Sequence, residues 1–139
     1  MTERTLVLIK PDAMAKNVIG DIIKIYEQND LTVAAIKMLQ MTEKIASLHY
    51  EEHIGRPYYD DLVSFMTSAP IIAMVLKGED AIAKVRKING KTNPAEADEG
   101  TIRKLYAENG SRNAVHASDS PTSAAREIAI FFAETEILR

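Results

Sequence analysis

The chain has 139 residues, 46% hydrophobic and 27% charged, the balance of one globular domain able to close its own core. It contains no cysteine, which excludes disulfide frameworks, thiolate metal sites and cysteine nucleophiles. Twenty acidic against 17 basic residues give a net charge of −3, a poor surface for non-specific nucleic-acid binding, and no apolar run approaches the ~20 residues of a membrane span. The expectation is a cytoplasmic protein of a single domain, residues 1–139, with neither a membrane nor a specific nucleic-acid partner.

Thr5–Ile9 is a β-branched apolar run stopped by Lys10-Pro11-Asp12, and reads as a buried strand. Beyond Val18 the period changes: Ile19, Ile22, Ile23 and Tyr26 fall on one face of a helix ending near Asn29-Asp30. Leu31–Met41 alternates as a strand. Thr42 caps a helix through His53, with Ile45 and Leu48 as its apolar positions; Gly55-Arg56-Pro57 breaks it, and Tyr58–Met66 forms another. Pro70 opens the strand Ile71–Leu76, and Glu79–Asn89 reads as a helix with Ile82, Val85 and Ile88 inward. Gly90–Asn113 holds only Ile102, Leu105 and Tyr106 as large apolar residues, and irregular stretches of that length are usually functional or disordered. Ala114-Val115 is a short strand leading to His116. Ser120 as N-cap and Pro121 as first helical residue start the last helix, whose apolar face is Ala124, Ile128 and Phe131. Helices between strands imply one sheet layered against helices.

Two short motifs invite chemistry and do not sustain it. His49-Tyr50-Glu51-Glu52-His53 fits the H-x-x-E-H spacing of inverted zinc peptidases, but such peptidases also need a third ligand and a substrate cleft, usually in a much larger chain, and a solvated helix face explains the motif as well. Gly90-Lys91-Thr92 looks like the end of a phosphate-binding loop, yet the first glycine of that motif would be Val85. Phosphate chemistry has other support. Between Lys77 and Arg112 stand eight basic and six acidic residues, a net +2 that leaves −5 elsewhere. His116 follows this region, between small neighbours Ala114 and Ala117. Glu127, at the edge of the last helix's apolar face, can turn inward. A carboxylate on one imidazole nitrogen fixes the tautomer and leaves the other nitrogen as a nucleophile.

Thr5–Ala13 (TLVLIKPDA), Tyr50, Arg56-Pro57-Tyr58, Gly100-Thr101-Ile102-Arg103 and Asn113–Ser120 (NAVHASDS) together resemble, in order and over nearly the whole chain, the nucleoside diphosphate kinases. His-Ala-Ser-Asp-Ser is close to that family's H-[GA]-S-D signature. The resemblance implies an α/β (α+β) sandwich of ferredoxin-like βαββαβ topology, a four-stranded antiparallel sheet covered by helices. It also implies reversible transfer of the γ-phosphoryl from a nucleoside triphosphate to a nucleoside diphosphate, by a ping-pong route through phosphohistidine at His116.

By matching positions, the resemblance places Lys10 near the transferred phosphoryl and the ribose, with Tyr50 close by. It gives Arg86, Thr92 and Arg103 to the other phosphates, Asn113 to the ribose, Tyr58 and Leu62 to the base, and Ser118 and Glu127 to the orientation of His116. Mg²⁺ would arrive on the nucleotide phosphates, with no protein metal cage. The implied partners are nucleoside di- and triphosphates such as ATP/ADP and GTP/GDP, and further copies of the chain in a homo-oligomer, a hexamer or a tetramer of dimers. Two departures stand out: Gly110 replaces an apolar wall to the base, and Tyr58-Tyr59 replace a frequent pair of phenylalanines. The rival readings are a nucleotide-binding regulatory module without catalysis and the H-x-x-E-H metallopeptidase.

Overall fold

A computed structural model describes residues 2–139. In chain order its elements are β1 (Thr2–Ile9), α1 (Pro11–Ala15), α2 (Ile19–Gln28), β2 (Thr32–Leu39), α3 (Glu43–His49), α4 (Tyr59–Met66), β3 (Ile71–Glu79), α5 (Ala81–Asn89), α6 (Ile102–Tyr106), β4 (Val115–Ala117) and α7 (Pro121–Phe131), with single 3₁₀ turns at Glu51–His53 and Glu134–Glu136. The four strands form one sheet in the order β2-β3-β1-β4, with every neighbouring pair antiparallel. The expected four-stranded antiparallel sheet covered by helices is therefore present.

Strand limits depart from the apolar pattern where backbone pairing, not burial, sets them. β1 pairs with β3 from Thr2 opposite Glu79 to Ile9 opposite Ile72, so its polar start at Thr2–Arg4 is strand although little of it is buried. The same ladder carries β3 to Glu79, and the following helix begins at Ala81, after Asp80 turns the chain in a left-handed conformation (φ 48°). β2 is shorter than the alternating run, Thr32–Leu39 rather than Leu31–Met41.

Helices lie on both faces of the sheet, not on one. Residues 5–9 of β1 are all fully buried, so the run is continuous rather than alternating, as in strands covered on both sides. Leu6 and Leu8 pack with Ala46 of α3, Met66 of α4 and Ile128 and Phe131 of α7. Val7 and Ile9 point the other way, into Ile22 and Tyr26 of α2, Val85 of α5 and Ile102 of α6. Each such Leu, Ile or Val contributes roughly 1.5–3 kcal/mol when fully buried. Tyr26 is sealed inside this second layer, and its hydroxyl donates to Asn89 Oδ1 at 2.6 Å, fixing the end of α5.

The reading of Thr42–His53 as one helix fails at Tyr50. Thr42 does cap it, its Oγ1 accepting from the Ile45 N–H at 3.2 Å, but α3 ends at His49 and a 3₁₀ turn follows. The i, i+4 relation of a continuous helix is thereby lost to His49 and His53, and with it the geometric basis of the zinc-peptidase motif. The segment 90–113 contains α6, capped by Thr101 Oγ1, which accepts from Lys104 N–H at 3.3 Å. α7 starts as expected, with Ser120 Oγ accepting from Ser123 N–H at 3.1 Å and Pro121 as its first residue.

Candidate active site

β4 is an outer strand of three residues, and pairing sets His116 opposite Leu8 of β1. Its imidazole Nε2 lies 2.9 Å from Oε1 of Glu127, a buried side chain on α7. The Ser118 hydroxyl donates to that same oxygen at 2.9 Å and accepts from the Leu6 N–H at 3.2 Å. Ser118 is fully buried and stands behind Glu127 rather than on the wall of the cleft. A carboxylate only accepts hydrogen bonds, so Nε2 carries the ring hydrogen and Nδ1 keeps its lone pair. Nδ1 makes no hydrogen bond with any described residue.

The approach to His116 is an unusual turn. Ala114 is buried with φ 72°, and the Val115 N–H donates to Asn113 O at 2.8 Å across it, closing a strained γ-turn. Two contacts from the stretch just after β1, at Lys10 and at Asp12 of α1, clamp this turn. The Asp12 carboxylate accepts from Ala114 N–H at 2.9 Å, and Ala114 O accepts from Lys10 N–H at 2.9 Å. The Lys10 ammonium donates to Asn113 Oδ1 at 2.8 Å, and the Asn113 amide donates to Gly110 O at 3.0 Å. Burial, and secondarily the charge of Arg103, bring the Lys10 pKa from 10.5 down to about 8, against the pull of Asp12. Asp12 and Ala114 were not among the sequence candidates. A positive φ at alanine has no sequence signal.

A cavity of about 920 Å³ opens over these groups, and Lys10, Tyr50, Arg86, Thr92, Arg103, Asn113, His116 and Glu127 all line it. Arg103 is partly engaged in scaffolding. Its Nη1 donates to Gly90 O at 2.9 Å, Nη2 to Val115 O at 2.8 Å and Nε to Asn113 O at 3.3 Å. A guanidinium has five N–H donors, so two remain for a ligand. Arg86 and Thr92 are exposed and make no side-chain hydrogen bond or ion pair with another described residue, which leaves their donors open to the cavity.

Gly90, which turns the chain out of α5 at φ 85°, also serves this arrangement. A Cβ there would stand 2.6 Å from Thr101 Oγ1, the cap of the helix that carries Arg103.

Tyr50 is buried and its hydroxyl has no partner, while burial and the negative Glu127 hold its pKa above the usual tyrosine range. It is thus a neutral donor aligned with the cavity wall. His49, weighed in the sequence only as part of the peptidase motif, belongs to the same wall. Its ring meets His116 edge-on at 4.6 Å between centroids and also touches Tyr50 and Phe131. Neither of its nitrogens has a partner, although the residue is only 4% exposed. Burial, and then the neighbouring His116, lower its pKa to about 2, so it is neutral.

Tyr58 and Leu62 lie outside this cavity. Tyr58 is half exposed and its hydroxyl pairs with His53 Nδ1 at 2.5 Å, at the cavity's rim, while Leu62 packs against the core layer of α3, α4 and α7.

Among the described residues, the one group of three histidines or acids close enough to share an ion is His49, His116 and Glu127, two nitrogens and an oxygen. That is not the all-oxygen octahedron Mg²⁺ requires. The cationic and hydroxyl donors lining the cavity suit phosphates instead, so the residues fit a Mg²⁺ that is carried on a bound polyphosphate.

The family model for nucleoside diphosphate kinase matches residues 3–137. A nucleoside diphosphate kinase of a Nitratiruptor species is 54% identical, over 98% of this chain and 99% of its own length. One of Listeria monocytogenes serotype 4b is 51% identical, over 98% and 92%. Among solved structures, the Aquifex aeolicus nucleoside diphosphate kinase superposes with a TM-score of 0.97 at 42% identity, over 99% of this chain and all of that one. A halophilic nucleoside diphosphate kinase from Halobacterium salinarum in complex with CDP gives 0.96 at 40%, over 100% and 93%. With its sheet, its His116–Glu127 pair and its cationic cleft all present, the chain belongs to the nucleoside diphosphate kinase family.

Proposed function

We propose that this chain is a nucleoside-diphosphate kinase that passes the γ-phosphoryl of a nucleoside triphosphate to a nucleoside diphosphate through a phosphohistidine at His116. The observation that carries the mechanism is the 2.9 Å bond from His116 Nε2 to Glu127 Oε1, which assigns the ring hydrogen to Nε2 and the free lone pair to Nδ1. In the first half-reaction Nδ1 attacks the γ-phosphorus and a P–N bond forms. The bond from phosphorus to the β,γ-bridging oxygen breaks, and the nucleoside diphosphate leaves with that electron pair. The ring hydrogen stays on Nε2, donated to Glu127 throughout, so the positive charge arising on the ring is stabilised by a buried carboxylate. The second half-reaction is the reverse, with a different diphosphate as acceptor.

The loose, charge-spread transition state of phosphoryl transfer needs positioned cations and donors more than covalent chemistry. Lys10 and the Tyr50 hydroxyl supply them at the transferred group. Arg86, Thr92 and the two free N–H groups of Arg103 supply them at the remaining phosphates. Asn113 takes the ribose. Tyr58 and Leu62, at the rim and beyond it, pack on the base, a contact with a π-face that tolerates any base. Ser118 and Glu127 position His116. Mg²⁺ bound to the nucleotide phosphates neutralises charge there. A homo-oligomer is supported by the outer strand β2, where Ile36 and Met38 are 49% and 60% exposed. A cytoplasmic location is in keeping with the absence, among the described residues, of any helix long and apolar enough to cross a membrane. A single domain over residues 1–139 is supported by the span of the family match.

The test is a two-step label transfer. Protein incubated with γ-labelled ATP takes up an acid-labile, base-stable label, and a second nucleoside diphosphate then removes it as the triphosphate. His116→Ala takes up none while still binding ADP. Label retained in that variant, or turnover without any labelled protein, defeats the mechanism.

A further inference from the structure

The activity proposed above makes no use of His49. A buried imidazole with two unpartnered nitrogens calls for an explanation, because such groups are rare unless an ion, a water or chemistry accounts for them. The ring is buried and lies edge-on against His116, whose own partner is Glu127. One nitrogen of each imidazole and one oxygen of Glu127 all lie within 4.8 Å of one another. A point within about 2.8 Å of all three therefore exists, and an inward movement of roughly 0.8 Å by each reaches the ~2.0–2.1 Å bonds of zinc. Three protein ligands of this kind leave a fourth position for water or another ligand. Two neutral imidazoles with one carboxylate suit a borderline-soft ion, not the hard Mg²⁺ of the nucleotide.

We propose that His49, His116 and Glu127 form a binding site for Zn²⁺, and that zinc bound there switches the resting enzyme off by taking His116 out of service. The site stands on geometry alone, whereas the inhibition rests on His116 being the nucleophile. The inhibition does not depend on which His116 nitrogen binds. Zinc on Nδ1 takes the attacking lone pair itself. Zinc on Nε2 displaces the hydrogen of the Glu127 bond, and the ring's remaining hydrogen then resides on Nδ1, removing the same lone pair. Zinc on Nδ1 and phosphorylation of His116 are therefore mutually exclusive, while zinc on Nε2 opposes phosphorylation by holding the ring hydrogen on Nδ1. Substrate protects against the ion, and the ion blocks only protein that is not phosphorylated.

The experiment uses the whole chain, stripped with a chelator and dialysed against buffered Zn²⁺. One zinc per chain is expected. His49→Phe keeps a ring against Tyr50 and Phe131 but offers no ligand, and should weaken binding at least tenfold. His49→Gln serves if the first variant does not fold. Wild-type protein phosphorylated beforehand with ATP and desalted should bind zinc at least tenfold more weakly, and zinc-loaded, desalted protein should take up at least tenfold less label from γ-labelled ATP until chelator restores it. Absence of a stoichiometric ion, unchanged affinity on loss of His49, or full labelling of the zinc-loaded protein overturns the proposal. Failure of metal-free protein to label overturns the phosphohistidine mechanism instead, and leaves the stoichiometry and the His49 variants to decide the site.

Discussion

Glu127 Oε1 stands 2.9 Å from His116 Nε2 and takes the Ser118 hydroxyl on the same atom. One carboxylate oxygen thus ties α7 to β4, and through the Ser118–Leu6 contact to the middle of β1. The bond sets the tautomer, and the tautomer selects the nucleophilic nitrogen.

That dependence makes Glu127→Gln the informative change. A glutamine can turn its amide N–H toward Nε2, which drives the ring hydrogen to Nδ1. By analogy with a triad aspartate changed to asparagine, phosphorylation of His116 should fall by roughly 10²–10⁴-fold. Rapid-quench labelling with γ-labelled ATP reads the step directly, with ADP affinity nearly unchanged. A variant that labels at the wild-type rate would show that the carboxylate does not set the tautomer.

Lys10 links activity to alkaline pH. In the free protein it is charged below about 8 and loses its charge as pH rises through that value, so kcat/KM should decline above pH about 8. Stability runs the opposite way. The unfolded chain binds the proton up to 10.5 and the folded one only to about 8, a difference on the order of 3 kcal/mol that disfavours folding below pH 8 and vanishes as pH rises through 10.5. Lys10→Met should therefore raise the midpoint of denaturation at pH 7, less so at pH 10, while activity falls. Urea titrations at the two pH values check this.

The γ-turn at Ala114 needs its clamp. Asp12→Asn keeps an oxygen for the Ala114 N–H and should leave most activity, whereas Asp12→Ala strands that N–H in the interior at about 1–3 kcal/mol. The expected ranking in both thermal stability and His116 labelling is wild type, Asn, Ala. Equal loss in the two variants would mean the charge, not the hydrogen bond, is what matters.

Gly90→Ala combines a left-handed backbone angle with a Cβ that would press on Thr101. Loss of about 1–3 kcal/mol is expected in chemical denaturation. Because the α6 cap and Arg103 shift with it, KM for nucleotide should rise more than kcat falls.

The outer strand supplies the last test. Met38→Lys places a charge on the exposed face of β2 and should dissociate the proposed homo-oligomer, seen by sedimentation, while the monomer keeps its far-ultraviolet dichroism.

Much of this was legible in the residues. Alternation and apolar runs located the strands, Ser120-Pro121 announced α7, and Glu127 could be expected to turn inward from its place on that helix. The number of helical layers was not legible in chain order, although the unbroken burial of residues 5–9 explains it. The break at Tyr50 escaped because nothing in Glu51-Glu52-His53 opposes a helix. His49, Asp12 and Ala114 escaped for a different reason. Their importance lies in what they touch, across 60 or more residues for His49 and about 100 for Asp12, and no local pattern encodes such a pairing.

Arg103 holds three stretches of backbone, at Gly90, Asn113 and Val115, and keeps two N–H groups in reserve. A phosphate that takes those two groups is thereby fastened to the loop, to the γ-turn and to the strand that bears His116. Nucleotide concentration then acts on the protein's resistance to heat and proteases, adding about 2.7 kcal/mol when ligand stands at a hundred times its dissociation constant. A starved cell would hold a softer enzyme than a fed one.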